Sequence, residues 1–255
     1  MSEGPGKPDV TARARAWRHG AHAAVCDVLE PWAHGTVARA TRYESYWDLN
    51  VVRVEDDAPS MTVDDLVAFS DDALAGLAHR RIDFEDIGAG ERVRADFEAR
   101  GWRTLRLVYM RHEVPPPPGP PIAVEQVPYD AVDGLRVAWH HEDFPGQDPT
   151  SYIAQAREVA MSRDVQILAV REGGEPIAFA VVERAGPAAE ITAVYVRPDH
   201  RGGGRGTALT RAAIEATGDV EDLWISADDE DRPKDLYARL GFRPAWTAME
   251  LTRLP

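Results

Sequence analysis

The chemistry of this chain is most legible in the run Val194-Tyr195-Val196-Arg197-Pro198-Asp199-His200-Arg201-Gly202-Gly203-Gly204-Arg205-Gly206-Thr207. A strand-like apolar stretch enters a loop with four glycines in five positions and then a helix start, where unpaired N–H groups and the helix dipole favour an anion. Glycine lets the backbone come close to a phosphate, and Arg201 and Arg205 add charge-assisted donors. The run therefore suits a diphosphate. A Walker loop would end in Gly-Lys-Ser/Thr where this one reads Gly204-Arg205-Gly206-Thr207, and a dinucleotide fingerprint would open a repeated strand-helix-strand unit. Neither template fits. A tight glycine turn with no ligand is the plain structural alternative.

Three other groups could do chemistry. Tyr237 sits in Leu236-Tyr237-Ala238-Arg239-Leu240-Gly241-Phe242-Arg243-Pro244, about 30 residues after the glycine loop, as a proton donor or as filling between helix and sheet. His19 and His22 have the spacing of helical metal ligands with no third ligand evident, so no metal is expected. Cys26, the lone cysteine, lies in an alanine-rich, helix-like stretch and reads as a small buried hydrophobe.

These groups need elements to hold them. Pro115 to Pro118 with Gly119-Pro120-Pro121 cannot enter a helix and reads as an extended linker, which predicts domains at residues 1–114 and 122–255 around the linker 115–121. After it, the patterns predict a strand over Ile122 to Val127, helices over Tyr129 to His141 and Tyr152 to Met161, and strands over Val165 to Arg171, Pro176 to Glu183 and Ala189 to Val196. A helix from about Gly206 to Ala216, a strand over Val220 to Ile225, a helix over Pro233 to Leu240 and a last strand over Thr247 to Thr252 complete an α/β domain with a mixed sheet.

Arg201-x-x-Gly204-x-Gly206 after a strand ending Val-x-Val-Arg-Pro resembles the acyl-CoA loop of the GNAT superfamily of N-acetyltransferases. The run from Leu236 to Pro244 is similar to that family's second signature, and the order of elements matches its fold. The resemblance covers the whole second half. It implies acetyl-CoA as acyl donor, with the pyrophosphate on the amides of Gly202, Gly203, Gly204, Arg205, Gly206 and Thr207. The strand from Ala189 to Val196 would splay from its neighbour near Tyr195, and an N–H at Val194 or Val196 would polarise the thioester carbonyl. Tyr237 would protonate the departing thiolate, and Glu190 is where many members keep the carboxylate that takes the amine proton, although a solvent-facing strand glutamate is an equal reading. The acceptor side would come from Trp139, His140, Glu142, Asp143 and Phe144, which suit a cationic amine. The same segment also reads as a capped helix end with Trp139 in the core. His140 and His141 point about 100° apart on a helix and cannot easily share one metal. Many members of that family have Asn seven residues before the signature tyrosine, where it helps hold the pantetheine; this chain has Glu230 there, a departure that counts against that pantetheine contact and not against the fold.

The first half reads as a worn copy. Setting Val54 under Val196 places Pro59 under Arg201 and Asp64 and Asp65 under Gly206 and Thr207; Phe97 to Arg103 falls under Tyr237 to Arg243 with a drift of two residues. The acidic pair would repel a pyrophosphate, and Phe97 has no proton to give. Thr62 and Asp65 form a capping box, so a helix is expected there without its ligand. The expectation is a tandem fold with a degenerate, non-catalytic GNAT-like first half.

Composition bounds the rest. The 255 residues carry 43 acidic and 29 basic side chains, a net charge of -14, and 44% hydrophobic residues. That supports a packed core and argues against nucleic acid as partner. No apolar run approaches membrane-spanning length, and Met1 to Pro8 shows no apolar leader, so a cytoplasmic protein is expected, with a homodimer allowed. The leading reading is transfer of acetyl from acetyl-CoA to a primary amine of a small molecule or protein by direct attack. The alternatives are a CoA-binding sensor or scaffold without catalysis, and a tandem enzyme similar to mycothiol synthase.

Overall fold

The computed structural model describes residues 8–255; of the segment read above for a leader, residues 1–7 lie outside them. Chain contacts divide the protein into two units. The first takes residues up to Tyr109 together with Asp228–Glu230 and Pro244–Pro255; the second takes Met110–Ala227 and Asp231–Arg243. The division falls inside one strand before the proline stretch and inside the last strand of the chain.

The first unit contains α1 (Val10–Ala23), β1 (Val28–Trp32), β2 (Gly35–Arg39), β3 (Val51–Val54), α2 (Val63–Ala73), β4 (Arg80–Phe84), α3 (Ile87–Ala99) and the body of β5 (Arg103–His112). β1, β2 and β3 pair antiparallel, and β3 and β4 run parallel. One core gathers Val52, Val54, Ile82 and Phe84 from these strands with Leu66 of α2 and Phe97 of α3. Other positions of this sheet are ionic: Arg81 bonds Asp83 at 2.9 Å, Asp48 at 2.6 Å and Glu250 at 2.5 Å, and Arg18 of α1 reaches Asp83 at 3.3 Å. Burying so many charges costs desolvation that only mutual pairing offsets. Cys26 lies past the end of α1, half-buried, with its thiol donating to the Leu49 carbonyl, so the helical placement expected for it is corrected. Burial raises its pKa to about 11.

The second unit contains β6 (Glu125–Val127), α4 (Asp133–Asp143), α5 (Thr150–Met161), β7 (Asp164–Glu172), β8 (Glu175–Ala185), β9 (Ala188–Val196), α6 (Arg205–Thr217), β10 (Asp222–Asp228), α7 (Pro233–Arg239) and the start of β11 (Phe242–Arg253). Its strands lie in the order β10-β9-β8-β7-β6, antiparallel except for β9 and β10, which run parallel. The tight turn at Gly173-Gly174, both at positive φ, joins β7 to β8. Phe179, Val181, Ala193 and Tyr195 pack with Leu135 of α4 in a second core. The expected helix from Tyr129 is split: a 3-10 turn over Tyr129–Val132 precedes α4. β6 begins only at Glu125, and β11 starts directly after Gly241 and continues through Pro244.

Among the described residues no helix is long and apolar enough to cross a membrane.

Candidate active site

Two neighbouring strands part company at the centre of the second unit. β10 pairs with β9 from Asp222↔Ala188 to Ile225↔Ile191, and the pairing stops there. On its other side β9 stays paired with β8 up to Ala178↔Val196, with Thr192 as an extra residue that shifts the register between Val181 and Val182. A bulge bends and twists its strand, which turns β9 away from β10. The β9–β10 pairing ends four residues before Tyr195, near which the family resemblance implied that the strands would splay. Arg197 donates its N–H to Ile177 of β8, so by strand alternation Val194 and Val196 turn their backbone groups to the open side.

That open edge runs into the glycine loop. Gly202 and Gly204 hold φ of +84° and +81°, and Gly204 caps α6 with no side-chain bond to its N–H groups. The first intrahelical bond here runs from Ala208 to the Gly204 carbonyl, so the N–H groups of Arg205, Gly206 and Thr207 lack helical acceptors. At Gly206 a Cβ would stand 3.9 Å from the Val196 side chain and 3.8 Å from Leu236, so the end of β9, the start of α6 and the side chain beside Tyr237 converge.

The two arginines offered as phosphate donors are held by protein acceptors. Arg201 donates to the Val196 carbonyl at 3.0 Å and to both oxygens of Glu142 at 2.5 and 2.8 Å. Arg205 donates to the His200 carbonyl at 3.0 Å. Glu142 also accepts from the Tyr195 hydroxyl at 3.3 Å, so one residue of the expected acceptor segment is tied to the loop.

Tyr237 lies on α7, 6% exposed, edge-to-face with Phe242 at 6.2 Å. Burial alone pushes its phenol pKa well up, so the hydroxyl keeps its proton. Glu190 stands opposite Trp224 of β10, one residue before the parting, and accepts from the Ser226 hydroxyl at 3.4 Å. Glu230, where many relatives have Asn, lies in the first unit and is gripped by Arg94 at 2.9 and 2.7 Å.

The other expected acceptor residues divide. Trp139 stacks on Tyr195 at 5.9 Å and meets Phe179 edge-on, a core position. His140 is buried against Phe144 and Tyr152, and burial lowers its pKa. Its ring stands nearly perpendicular to that of His141. Asp143 ends α4. The outer side of α4 and α5 borders an open cavity of about 780 Å³ lined by Asp133, Val137, His141, Asp148, Ile153 and Arg157.

His19 and His22 do not converge. His22 is buried with its Nδ1 on Arg53, whereas His19 meets Glu85, and with Glu55 these two place one ligand atom each within 4.8 Å of one another. Arg53 pairs with Glu55 at 3.1 Å, so this cluster already holds a cation of its own.

The first unit repeats the local build with other side chains. β3 ends at Val54 and α2 begins at Val63, where β9 ends at Val196 and α6 begins at Arg205. Phe97 and Trp102 pack edge-to-face at 4.9 Å around Gly101 at φ +78°, as Tyr237 and Phe242 do around Gly241 at φ +96°. The capping box of Thr62 and Asp65 is formed, with the Asp65 carboxylate on the Thr62 N–H at 3.0 Å. The parting of strands is missing: β3 and β4 pair to Val54↔Phe84, and Glu85 still donates to the Val54 carbonyl at 2.9 Å.

A mixed α/β unit in which a bulged strand leaves its parallel neighbour and feeds a glycine loop at a helix start defines an acyl-CoA N-acyltransferase architecture. Residues 163–244 match the family model described as an acetyltransferase (GNAT) domain. Among solved structures, it is similar to a conserved protein of unknown function from Staphylococcus epidermidis at 14% identity and a TM-score of 0.64, covering 89% of this chain and 94% of that one. A GCN5-related N-acetyltransferase from Kribbella flavida is similar at 17% identity and 0.55, covering 96% of each chain. A tandem GNAT protein from the clavulanic acid biosynthesis pathway is similar at 17% identity and 0.50, covering 76% of this chain and 71% of that one. At these identities the likeness shows the fold. No curated protein matches the chain.

Proposed function

We propose that the protein transfers an acetyl group from acetyl-CoA to a primary amine, in the second unit, by direct attack. The observation that carries the reading is the open edge of β9 beyond Ile191, continuous with the acceptor-free N–H groups at the start of α6. The backbone at Val194, Tyr195 and Val196 would hold the pantetheine arm and thioester, and the amides from Gly202 to Thr207 would hold the pyrophosphate. The amine lone pair forms the C–N bond, the C–S bond breaks with its electrons on sulfur, and Tyr237 gives the thiolate a proton. Glu190 takes the proton that the amine must lose. Glu142, tied to Arg201, joins the acceptor side to the phosphate loop, and its charge suits a cationic acceptor. The first unit, with Asp64 and Asp65 at the corresponding helix start and its strands zipped shut, would bind no CoA. The lone cysteine suits a reducing cytoplasm.

The test is release of free thiol from acetyl-CoA across a panel of primary amines. Amine-dependent release is expected; tight CoA binding without any release would instead make the protein a sensor.

A further inference from the structure

Glu183 is a buried titratable group that the mechanism above leaves idle. β8 is apolar from Ile177 to Val182 and then ends its buried run on this carboxylate, 8% exposed. Its register partner on β9 is Glu190. Residues directly opposite in an antiparallel pair project to the same face, with Cβ atoms about 5 Å apart, and like charges there repel. The charged groups facing Glu183 are Glu190 from β9 and Arg163, which follows α5 and reaches a Glu183 oxygen at 2.6 Å; β7 sets Val165 opposite. Ser226 of β10 holds Glu190 from the far side. The pair stands at the mouth of the parting strands, since Ile191, next after Glu190, is the last β9 residue paired with β10.

We propose that Glu183 and Glu190 act as one proton-accepting pair, with Glu190 touching the acceptor amine and Glu183 holding a proton behind it. The inference rests on the reading of Glu190 as the base. An acceptor ammonium must lose two protons to become an amide. The first goes to Glu190 and on to Glu183, which frees the lone pair for attack and leaves Glu190 charged. The second leaves the nitrogen of the tetrahedral adduct for Glu190, while the C–S bond breaks and sulfur takes the Tyr237 proton. Solvent then collects two protons from the carboxylates and returns one to Tyr237, so one proton is released per turnover. Burial, with the Glu190 charge adding to it and Arg163 opposing, raises the Glu183 pKa to about 7, which suits a group that must gain and lose a proton near neutrality. Glu183 acts through Glu190 and is a positioning residue.

The test combines a carboxyl carbon NMR titration of the full chain with the pH profile of thiol release, for wild type, Glu183→Gln and Glu190→Gln. In wild type one glutamate should titrate near pH 7. That signal should vanish in Glu183→Gln and move down by at least half a pH unit in Glu190→Gln. The limb of kcat/KM near pH 7 should be lost in Glu183→Gln with KM for acetyl-CoA unchanged, and Glu183→Asp should restore it. A wild-type titration with no glutamate between pH 6 and 8 overturns the proposal even if the variants fail to fold. Thiol release with an unchanged limb in Glu183→Gln overturns the relay alone, whereas a coupled titration with no thiol release on any amine overturns the transferase reading and the relay with it.

Discussion

Tyr237 keeps its proton because it is buried, and that makes it an acid able to meet a thiolate. Replacing it with phenylalanine keeps the ring against Phe242 and removes only the hydroxyl. We expect Tyr237→Phe to lower kcat for amine acetylation about 100-fold while KM for acetyl-CoA stays within about twofold, measured by thiol release. A shift confined to KM would place the hydroxyl in binding. Tyr237 was singled out by the resemblance of Leu236 to Pro244 to a family signature. Glu183 was not, because a charge at the end of an apolar run reads as the strand's exposed end, and only the register shows Glu190 across from it and Arg163 beside it. The grip of Arg201 on Glu142 was equally hidden, since the two are far apart in sequence and meet only when α4 lies beside the loop.

At the scale of elements, Gly241 is the narrowest joint in the second unit. It holds φ +96°, and a Cβ there would sit 1.8 Å from the Val114 carbonyl oxygen. Its own carbonyl accepts from Glu113 and Val114. Gly241→Ala is therefore expected to cost about 2 kcal/mol or more, read as a drop in the urea midpoint, because strain and overlap add. Periodicity revealed the helices and strands of the second half to within a few residues, as in the apolar stripe of Leu209, Ala212, Ala213 and Ala216, whereas the bulge at Thr192 switches the face that β9 turns to the core. Periodicity failed at the first unit's ionic layer. Arg81, Asp83 and Glu250 occupy buried strand positions, so β4 and the outer part of β11 carry charges where a core pattern would be apolar. The parting of β9 from β10 was expected by resemblance alone; no residue type announces it, although Thr192 marks the bulge.

For the molecule as a whole, two bulk measurements follow. If only the second unit keeps an open strand edge, calorimetric titration of the full chain with acetyl-CoA should give one site per chain, and two sites would sink the account of the first unit. Acid should weaken the protein through buried histidines. His79 is buried with its ring on the Asn50 carbonyl, and burial lowers its pKa to about 4 from an ordinary 6.5. Its neutral form is the one the fold accepts, so the stabilisation is complete above pH 6.5 and is lost as pH falls toward 4. Because burial raises Glu183 and Glu250 to about 7 and makes their contribution change in the opposite sense, the readout is the difference between variants: the stability of wild type relative to His79→Gln should fall by roughly 1–3 kcal/mol between pH 7.5 and 4.5 in urea melts. The layout of β4 also governs how the protein is made. Arg80 to Phe84 pair on one side with β3, which is already synthesised, and on the other with Met249 to Arg253 of β11, which is not. While the chain emerges from the ribosome the first unit carries an unpaired strand edge through the synthesis of nearly the whole second half. This edge is the place where a chaperone, or a neighbouring nascent chain, would find purchase.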